Sequence, residues 1–310
     1  MKHQANDRKQ LFSLTLLLLT CLIAHGEAAQ CPANAAAIHY RSLDRSQIAI
    51  SVSINHSGPY DFTVDTGAQI TVIDPALALE LKLQSAGDVG VVSVGSYASA
   101  YLAKPQLVEA GPFAVNDLPV AVQRLDQIYG LNPRVRGILG ANFLGRFDLL
   151  IDYGHKIICF DESKSLEQEM KGERIPVIQR KERTGDLAYT LPLLVAVHLR
   201  GEGNKDTILL VDSGSEVPIL FENRLETPKA VQLNHAVRAA RSGKDNTLVF
   251  ATTPIQDVEI GSRTRQIAFL TPITMGRKLA YVREDGLLPT TLFKRVFISY
   301  ADHFVMFEPR

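Results

Sequence analysis

Several residue types that mark particular functions are rare or absent in this 310-residue chain. It has no tryptophan and an aromatic share of only 7%, which argues against a surface on which bases or sugars stack. Its 33 Lys and Arg residues balance 33 Asp and Glu residues, so no basic footprint for a nucleic acid is present. The cysteines and histidines lack metal-site spacing, and no phosphate-binding glycine loop occurs. We therefore expect no nucleic-acid partner, no metal and no other cofactor.

Long apolar runs are also missing. The longest, Leu11 to Ala24, has 14 residues, fewer than the roughly 20 that cross a bilayer. Basic residues precede it and small residues follow, an order typical of a secretory signal peptide over residues 1–26. Its removal leaves 30 basic against 32 acidic groups. We expect export to the periplasm or the extracellular space, without a stable membrane span. An uncleaved anchor and lipoprotein attachment at Cys21 are alternatives that the sequence fits less well.

Few cysteines remain for disulfides. Cys21 leaves with the predicted signal peptide, so the mature chain keeps Cys31 and Cys159. Export permits a disulfide between them. A buried free thiol at Cys159 and a separate thiol near the new N-terminus fit the sequence equally well, so the pairing stays open.

Short strands separated by turns dominate the chain, and one arrangement of them appears twice. A predicted hairpin, with strands at 47–55 and 60–64, leads into the tripeptide Asp65-Thr66-Gly67. Strands at 193–199 and 207–211 lead into Asp212-Ser213-Gly214, and the two aspartates lie 147 residues apart. After the first tripeptide we expect a strand and then a short helix that runs from Pro75 to Leu83, with Asp74 as its N-cap.

A second module follows each tripeptide after 74 to 76 residues. It consists of an apolar pair, a short helix and a closing hairpin, and it starts at Ile138-Leu139 in one copy and at Leu287-Leu288 in the other. Tyr153 and Tyr300, within these modules, are again 147 residues apart. Two copies of one domain are the simplest explanation.

We place the two lobes at residues 45–161 and 187–310. Between them, residues 162–186 carry 12 charged side chains in 25 positions, which is typical of a solvated surface linker. The apolar stretch Ile175 to Ile178 inside this linker is interpreted as an extended piece that lies along one lobe.

One Asp-Thr/Ser-Gly tripeptide means little, because average composition yields about 0.1 to 0.2 of them by chance in a chain of this length. Two copies in the same strand context are specific. With them the chain resembles the aspartic peptidases, as a single-chain protein with two retropepsin-like lobes. The segments that carry this resemblance are Val64-Asp65-Thr66-Gly67-Ala68, Ile138-Leu139-Gly140-Ala141-Asn142 and Val211-Asp212-Ser213-Gly214-Ser215.

The resemblance implies an all-β fold, mainly β with short helices, in which two closed β lobes are related by a pseudo-twofold axis. It further implies an aspartic endopeptidase that acts on a peptide or protein substrate, needs no cofactor and works as a monomer. Flaps over the cleft are expected near Val91–Tyr101, with Gly95 at one tip, and near Ser242–Asn246.

Asp65 and Asp212 are the implied catalytic pair. Two carboxyl groups about 3 Å apart cannot both ionise, an effect described for this family itself, so the pair shares one proton. The ionised aspartate accepts a proton from a water molecule, and the protonated one donates to the carbonyl oxygen of the substrate. The chemistry therefore requires both copies of the tripeptide.

Neighbouring residues are assigned supporting roles through the same resemblance. Gly67 and Gly214 allow close backbone approach to the carboxylates, and Thr66 and Ser213 are expected to hydrogen-bond across the axis. Ser215 differs from its counterpart, since the equivalent residue is Ala68. A hydroxyl donor at Ser215 would lower the pKa of Asp212, so we expect Asp212 to be the ionised partner and Asp65 the proton donor.

Three alternatives and one departure from the family pattern remain. A retropepsin-fold module that binds peptides without turnover would keep the same scaffold, and a dimer would pair like lobes of different chains. A generic β-rich exported binding protein would require both motif pairs to be coincidence. Pro289 stands where the first copy has Gly140, and because proline has no N–H and a fixed φ, the backbone beneath Asp212 is expected to differ there.

Overall fold

The computed structural model shows a mainly β protein with a few short helices. It describes the following residues: 31–32, 35–43, 47–93, 96–127, 131–161, 165–179, 192–200, 206–221, 234–242, 246–272 and 284–310. The predicted signal peptide, residues 1–26, lies outside these ranges, as do Gly95, residues 180–186 of the linker and residues 243–245. Within the described ranges, no helix is long and apolar enough to cross a bilayer.

The first half of the chain supplies fourteen strands to the described structure. They are β1 (Ala36–His39), β2 (Arg41–Leu43), β3 (Gln47–Ile54), β4 (Ser57–Val64), β5 (Thr71–Ile73), β6 (Ser85–Ser93), β7 (Ser96–Ala103), β8 (Leu107–Ala110), β9 (Phe113–Asn116), β10 (Val120–Val122), β11 (Gly137–Leu139), β12 (Asp148–Asp152), β13 (Ile157–Asp161) and β14 (Ile175–Pro176).

The second half supplies eleven more described strands, and helical structure is confined to short pieces. The strands are β15 (Leu194–Leu199), β16 (Asp206–Asp212), β17 (Ile219–Leu220), β18 (Asn234–Ser242), β19 (Asn246–Thr252), β20 (Gln256–Ile260), β21 (Arg263–Ile267), β22 (Leu270–Pro272), β23 (Gly286–Pro289), β24 (Phe293–Ser299) and β25 (Phe304–Pro309). The helices are α1 (Pro75–Glu80) and α2 (Ala141–Leu144), with 3₁₀ turns at Leu125–Gln127, Leu166–Glu169 and Thr290–Leu292.

Two of the three sheets repeat the same strand order. The first runs β6-β7-β10-β5-β11-β4-β3-β8-β9, with β2 added beside β3, and the second runs β18-β19-β22-β17-β23-β16-β15-β20-β21. Every strand of the second sheet therefore has a counterpart at the same place in the first. Each sheet ends in a hairpin, β6–β7 or β18–β19, in the region where a flap was expected.

A third sheet of six strands joins the two halves. Its order is β1-β13-β12-β24-β25-β14. The central pair, β12 and β24, is antiparallel and brings Ile151 opposite Val296, so the junction between the lobes is a continuous hydrogen-bonded ladder. All residues of β12 and β13 are buried. One apolar core extends from Ile38 through Phe160 and Val296 to Phe307, across both lobes.

Local sequence accounts for the hairpin that leads to Asp65. Ile54 pairs with Ser57, so the turn consists of Asn55 and His56, whose φ angles are 49° and 62°. A two-residue turn between right-twisted strands needs this left-handed conformation, which asparagine tolerates. The expected turn at residues 56–59 is thus shifted, and Pro59 lies within β4.

Helix α1 begins as expected and ends early. The Asp74 side chain accepts hydrogen bonds from the N–H groups of Ala76 and Leu77, and Pro75 occupies the first turn. The helix was predicted to reach Leu83 but stops at Glu80. Lys82 takes a φ of 54°, which closes the helix, and the N–H of Leu83 turns back to the carbonyl of Ala78.

Cys31 and Cys159 form a disulfide, which resolves the open question of their pairing. Cys159 lies in β13, and Ala37 of the neighbouring strand β1 is its register partner. The disulfide therefore fastens the chain that precedes β1 to the edge of the six-stranded sheet.

The charged linker makes specific contacts. Its residues Ile175 and Pro176 form β14 and pair with β25, as the extended interpretation suggested. Glu173 accepts hydrogen bonds from the N–H and hydroxyl of Ser262 in the β20–β21 turn. The guanidinium of Arg174 lies 4.6 Å from the ring centroid of Phe304. The described part of the linker is thus attached to the second half of the chain.

Candidate active site

Asp65 and Asp212 occupy equivalent places in the two repeated sheets. Asp65 follows β4, and its N–H donates to the carbonyl of Leu139 over 3.1 Å. Asp212 is the last residue of β16, in register with Pro289 of β23. In each copy the aspartate is preceded by a fully buried valine. A buried parallel strand pair therefore fixes the backbone of both aspartates.

Each carboxyl group packs against the glycine of the opposite loop. A Cβ atom added to Gly67 would lie 2.8 Å from Cγ of Asp212, and one added to Gly214 would lie 2.5 Å from Cγ of Asp65. Real Cβ atoms do not approach so closely. These glycines are required by the contact between the loops, since any side chain would separate the two carboxyl groups.

Backbone N–H groups of each loop point at its own aspartate. Oδ1 of Asp65 accepts from Gly67 over 2.9 Å and from Ala68 over 3.1 Å. Oδ1 of Asp212 accepts from Gly214 over 2.7 Å and from Ser215 over 3.1 Å. Both carboxyl groups are thus oriented by two donors in the same pattern.

Thr66 and Ser213 lock the two loops together. The Thr66 hydroxyl donates to the carbonyl of Val211 over 2.9 Å and accepts from the N–H of Ser213 over 3.0 Å. The Ser213 hydroxyl donates to the carbonyl of Val64 over 2.9 Å and accepts from the N–H of Thr66 over 3.0 Å. Both side chains are 2% exposed. Four buried hydrogen bonds therefore hold the loops in a reciprocal arrangement.

Burial raises the pKa of both Asp65 and Asp212 above the ordinary value of 3.8. For Asp212 the charge of Asp65 is the next strongest influence after burial, and it also raises the pKa. The two carboxyl groups also share a hydrogen bond, which requires a proton on one of them. The pair therefore holds one proton at pH values where separate aspartates would both be ionised.

The expectation for Ser215 was wrong. Its hydroxyl donates to the carbonyl of Val217 over 2.8 Å and not to Asp212, which it reaches only through its backbone N–H. Serine hydroxyls often satisfy themselves on nearby backbone in this way. Without that hydroxyl donor, the reason for expecting Asp212 to be the ionised partner is removed.

The layer beneath the Asp65 loop is a polar network within the first sheet. The Thr71 hydroxyl accepts from the N–H of Gly140 over 3.1 Å and donates to Oδ1 of Asn142 over 2.8 Å. The Asn142 amide donates to the carbonyl of Pro119 over 2.7 Å. A Cβ atom at Gly140 would lie 2.6 Å from the carbonyl carbon of Ile70. This glycine is needed for close backbone packing.

The equivalent layer beneath the Asp212 loop replaces this network with proline. Val211 pairs with Leu288 as Val64 pairs with Leu139, so the next residue, Pro289, corresponds to Gly140. Ile219 pairs with Leu287 as Val72 pairs with Ile138, so the preceding residue, Pro218, corresponds to Thr71. Pro289 has no N–H to donate and Pro218 has no hydroxyl to accept. The second copy therefore lacks both the donor and the acceptor of the hydrogen bond that joins Gly140 to Thr71 in the first copy. Because both are absent, neither group is left without its partner.

Two tyrosines that were noticed only as part of the repeat lie near the carboxyl pair. The Tyr153 hydroxyl is 2.5 Å from Oγ1 of Thr290. Tyr300 is buried, and its hydroxyl has no hydrogen-bond partner among the residues that the structure describes. Burial raises the pKa of both tyrosines, and the charge of Asp212 raises that of Tyr153 further, as the charge of Asp65 does for Tyr300. Their spacing of 147 residues was the signal available in the sequence.

Known proteins are similar to this chain in family and in fold. The family described as aspartyl protease matches residues 50–143. The fold is similar to the crystal structure of an aspartic proteinase from Irpex lacteus, with a TM-score of 0.52 and 11% identity over 88% of this chain and 97% of that one. A retropepsin-like aspartic protease from Rickettsia conorii gives a TM-score of 0.30 and 20% identity over 41% of this chain and 90% of that one. No curated protein sequence matches the chain.

The match to the Irpex proteinase extends over 88% of this chain, whereas the family match lies within the first repeat. The expected fold class is thereby confirmed. Residues 50–143 match the aspartyl protease family, and the chain as a whole has a two-lobed fold similar to that of the Irpex lacteus aspartic proteinase.

Proposed function

We propose that the chain is an exported aspartic endopeptidase, in which Asp65 and Asp212 activate a water molecule that hydrolyses a peptide bond. The observation that carries this proposal is the contact between the two loops. Each carboxyl group rests on the other loop's glycine, shares a hydrogen bond with its counterpart and has a raised pKa because of burial. A pair that holds one proton has both an acid and a base available at once.

The shared proton gives the pair its two roles. The ionised aspartate takes a proton from the water molecule, and the oxygen of that water attacks the carbonyl carbon of the peptide bond. The protonated aspartate donates its proton to the carbonyl oxygen, which gives a neutral gem-diol. Proton transfer to the amide nitrogen and cleavage of the C–N bond then release the two peptide products. No covalent bond to the enzyme forms, and the pair ends with one proton.

An extended peptide is the proposed substrate. β6 and β18 are the terminal strands of the two repeated sheets, and each belongs to a hairpin in an expected flap region. An extended chain that enters between such edges satisfies its backbone hydrogen bonds as an added strand. Both aspartates belong to one chain, which supports activity as a monomer.

Export is proposed from two independent features. The N-terminal sequence has the pattern of a secretory signal peptide. The disulfide between Cys31 and Cys159 is of a kind that persists in oxidising compartments and is rare in the cytosol.

The decisive experiment compares the mature protein with Asp65→Asn and Asp212→Asn on a mixed peptide library between pH 3 and 8. Asparagine keeps the size of each side chain but cannot accept or donate the catalytic proton. We expect each variant to lose on the order of 10⁴-fold in kcat/KM, because residues that act as a unit fail together. Activity that survives in either variant would contradict the paired mechanism.

The same variants test the shared proton without any turnover. A carboxyl group whose pKa is raised by folding binds protons more tightly in the native state, so stability falls as pH rises from about 3.8 through the raised value. We expect this loss in the wild-type protein and a flatter profile in Asp212→Asn, measured by urea unfolding at each pH.

Glu308 provides a control of opposite sign. Burial alone would raise its pKa, but hydrogen bonds from Arg295 and from the N–H of Lys171 lower it below the ordinary 4.5. Its contribution to stability is therefore present above pH 4.5 and is lost on acidification. Glu308→Gln should lower stability above pH 4.5, and this difference from the wild-type protein should shrink as the pH falls. Peptide binding without turnover, together with an unchanged pH profile of stability in Asp212→Asn, would favour the non-catalytic alternative.

A further inference from the structure

The two tyrosines at equivalent positions make different contacts. Tyr153 follows β12 of the first lobe, and its N–H donates to the carbonyl of Lys294 over 3.0 Å. Its hydroxyl meets Oγ1 of Thr290 at 2.5 Å. Tyr300 follows β24 of the second lobe and is 7% exposed, and within the described ranges its hydroxyl meets no hydrogen-bond partner. Of the two tyrosine hydroxyls, that of Tyr153 therefore makes a hydrogen bond between the lobes, whereas the described residues offer none to that of Tyr300.

The difference has a local cause. Leu139 and Leu288 are equivalent by register, so Thr290 corresponds to Ala141. Ala141 has no hydroxyl group, whereas Thr290 is fully buried and offers one. A buried hydroxyl without a partner is destabilising, and one with a partner contributes a specific contact.

Thr290 stands directly beneath one member of the carboxyl pair. It follows Pro289, whose register partner in the parallel strand pair is Asp212. The charge of Asp212 also helps to raise the pKa of Tyr153. The hydrogen bond thus connects the first lobe to the backbone that supports the aspartate of the second.

We propose that Tyr153 is a positioning residue for Asp212, which it holds in place through Thr290, and that Asp65 has no equivalent support from Tyr300. This inference rests on the proposed function. The hydrogen bond between Tyr153 and Thr290 is a further contact between the lobes, in addition to the reciprocal hydrogen bonds of Thr66 and Ser213. It supports the aspartate of the second lobe only. A displacement of Asp212 relative to Asp65 changes the geometry in which water and carbonyl are held, which affects turnover more than substrate binding.

The test compares Tyr153→Phe with Tyr300→Phe, which removes the same hydroxyl at the equivalent position. We expect Tyr153→Phe to lower kcat by roughly three- to tenfold with little change in KM. Tyr300→Phe loses no hydrogen bond and should retain kcat. Equal effects of the two variants, or a loss of thermal stability in Tyr153→Phe without a loss of kcat, would overturn the proposal.

Variants of Thr290 separate the hydrogen bond from packing. Thr290→Val keeps the shape without the hydroxyl and should match Tyr153→Phe, and the double variant should be no worse than either single one, because both remove one contact. Thr290→Ser keeps the hydroxyl and should recover most of the activity lost in Thr290→Val. Additive losses in the double variant would contradict the proposal.

A readout that needs no turnover distinguishes this proposal from the proposed function. Titration of ¹³C-labelled aspartate, followed by NMR, reports the apparent pKa values of the carboxyl pair. These values should shift in Tyr153→Phe and stay near those of the wild-type protein in Tyr300→Phe. If the wild-type protein hydrolyses no peptide, the proposed function fails, whereas an unchanged titration in Tyr153→Phe refutes the positioning role alone.

Discussion

The loops that carry Asp65 and Asp212 make matching contacts. Each aspartate accepts two backbone N–H bonds, each rests on the opposite glycine, and Thr66 and Ser213 exchange the same pair of cross-lobe hydrogen bonds. One layer below, the lobes diverge. The first has the Thr71 network, and the second has two prolines together with a tie to Tyr153.

The difference shows which part of the repeat is constrained by chemistry. Residues that touch both carboxyl groups must satisfy the geometry of a shared proton, so the same small or hydroxyl-bearing residue types occur in both copies. Residues beneath them need only support one loop. Any arrangement that leaves no buried polar group unpaired is sufficient there, and the paired change of Thr71 and Gly140 to Pro218 and Pro289 meets that condition.

The largest expected effect comes from breaking the matched layer with Gly67→Ala and Gly214→Ala. Each added Cβ would meet a carboxyl group at 3.0 Å or less, so the two aspartates must separate. We expect kcat/KM to fall on the order of 10²-fold or more in both variants. The effect should be larger for Gly214→Ala, where the nearest contact is 2.5 Å against 2.8 Å at Gly67.

Gly154→Ala is a suitable control, because a Cβ there would come no nearer than 3.3 Å, to Oδ1 of Asp152. It should retain kcat/KM close to the wild-type value. Full activity in only one of the two loop variants would show that the loops are not equivalent.

A smaller effect is expected in the layer that differs. At Gly140 a Cβ would lie 2.6 Å from backbone atoms of Ile70, and backbone yields little, so Gly140→Ala should lower the free energy of unfolding by about 1–3 kcal/mol. Pro289 has φ −63° and ψ 131°, which alanine adopts easily. Pro289→Ala should therefore cost about 1 kcal/mol or less, mainly through the more flexible unfolded chain.

Urea unfolding of the two variants measures this contrast. Equal losses in the free energy of unfolding for Gly140→Ala and Pro289→Ala would indicate that the two supporting layers pack alike, which would contradict this prediction.

The smallest effect is expected for Ala68→Ser, which makes the two loops more alike. Because the Ser215 hydroxyl bonds to Val217 and not to Asp212, the added hydroxyl at residue 68 should not reach Asp65. We expect the two apparent pKa values from the pH–rate profile to change by no more than roughly 0.3 units. A clear acid shift of one limb would show that the fourth residue of the loop does adjust the carboxyl pair.

Much of the architecture was predictable because it depends on local signals and on repetition. The Asp-Thr/Ser-Gly tripeptides after apolar strands, the 147-residue offset and the Asp74-Pro75 helix start are all visible in the sequence. Strand positions and the N-cap follow from hydrophobic pattern and backbone chemistry that act over a few residues.

What could not be predicted depends on distance in space or on competition between partners. The pairing of Cys31 with Cys159 requires that β1 lie beside β13, and the contact of Tyr153 with Thr290 crosses 137 positions of the chain. The hydroxyl of Ser215 had two acceptors within reach of its loop, and sequence does not decide between them. The end of α1 at Glu80 depended on a left-handed Lys82, a residue type with no special preference for that conformation.

The ladder between β12 and β24 has a further consequence. In a symmetric dimer of identical half-chains, the same surface occurs twice, so every substitution enters both halves at once. Here the two halves belong to one polypeptide, and each position can be varied alone. A proline pair under one aspartate and a polar network under the other are possible only under this condition. Covalent linkage therefore allows the two supporting layers of this protein to differ, and the contact between its two loops does not depend on protein concentration.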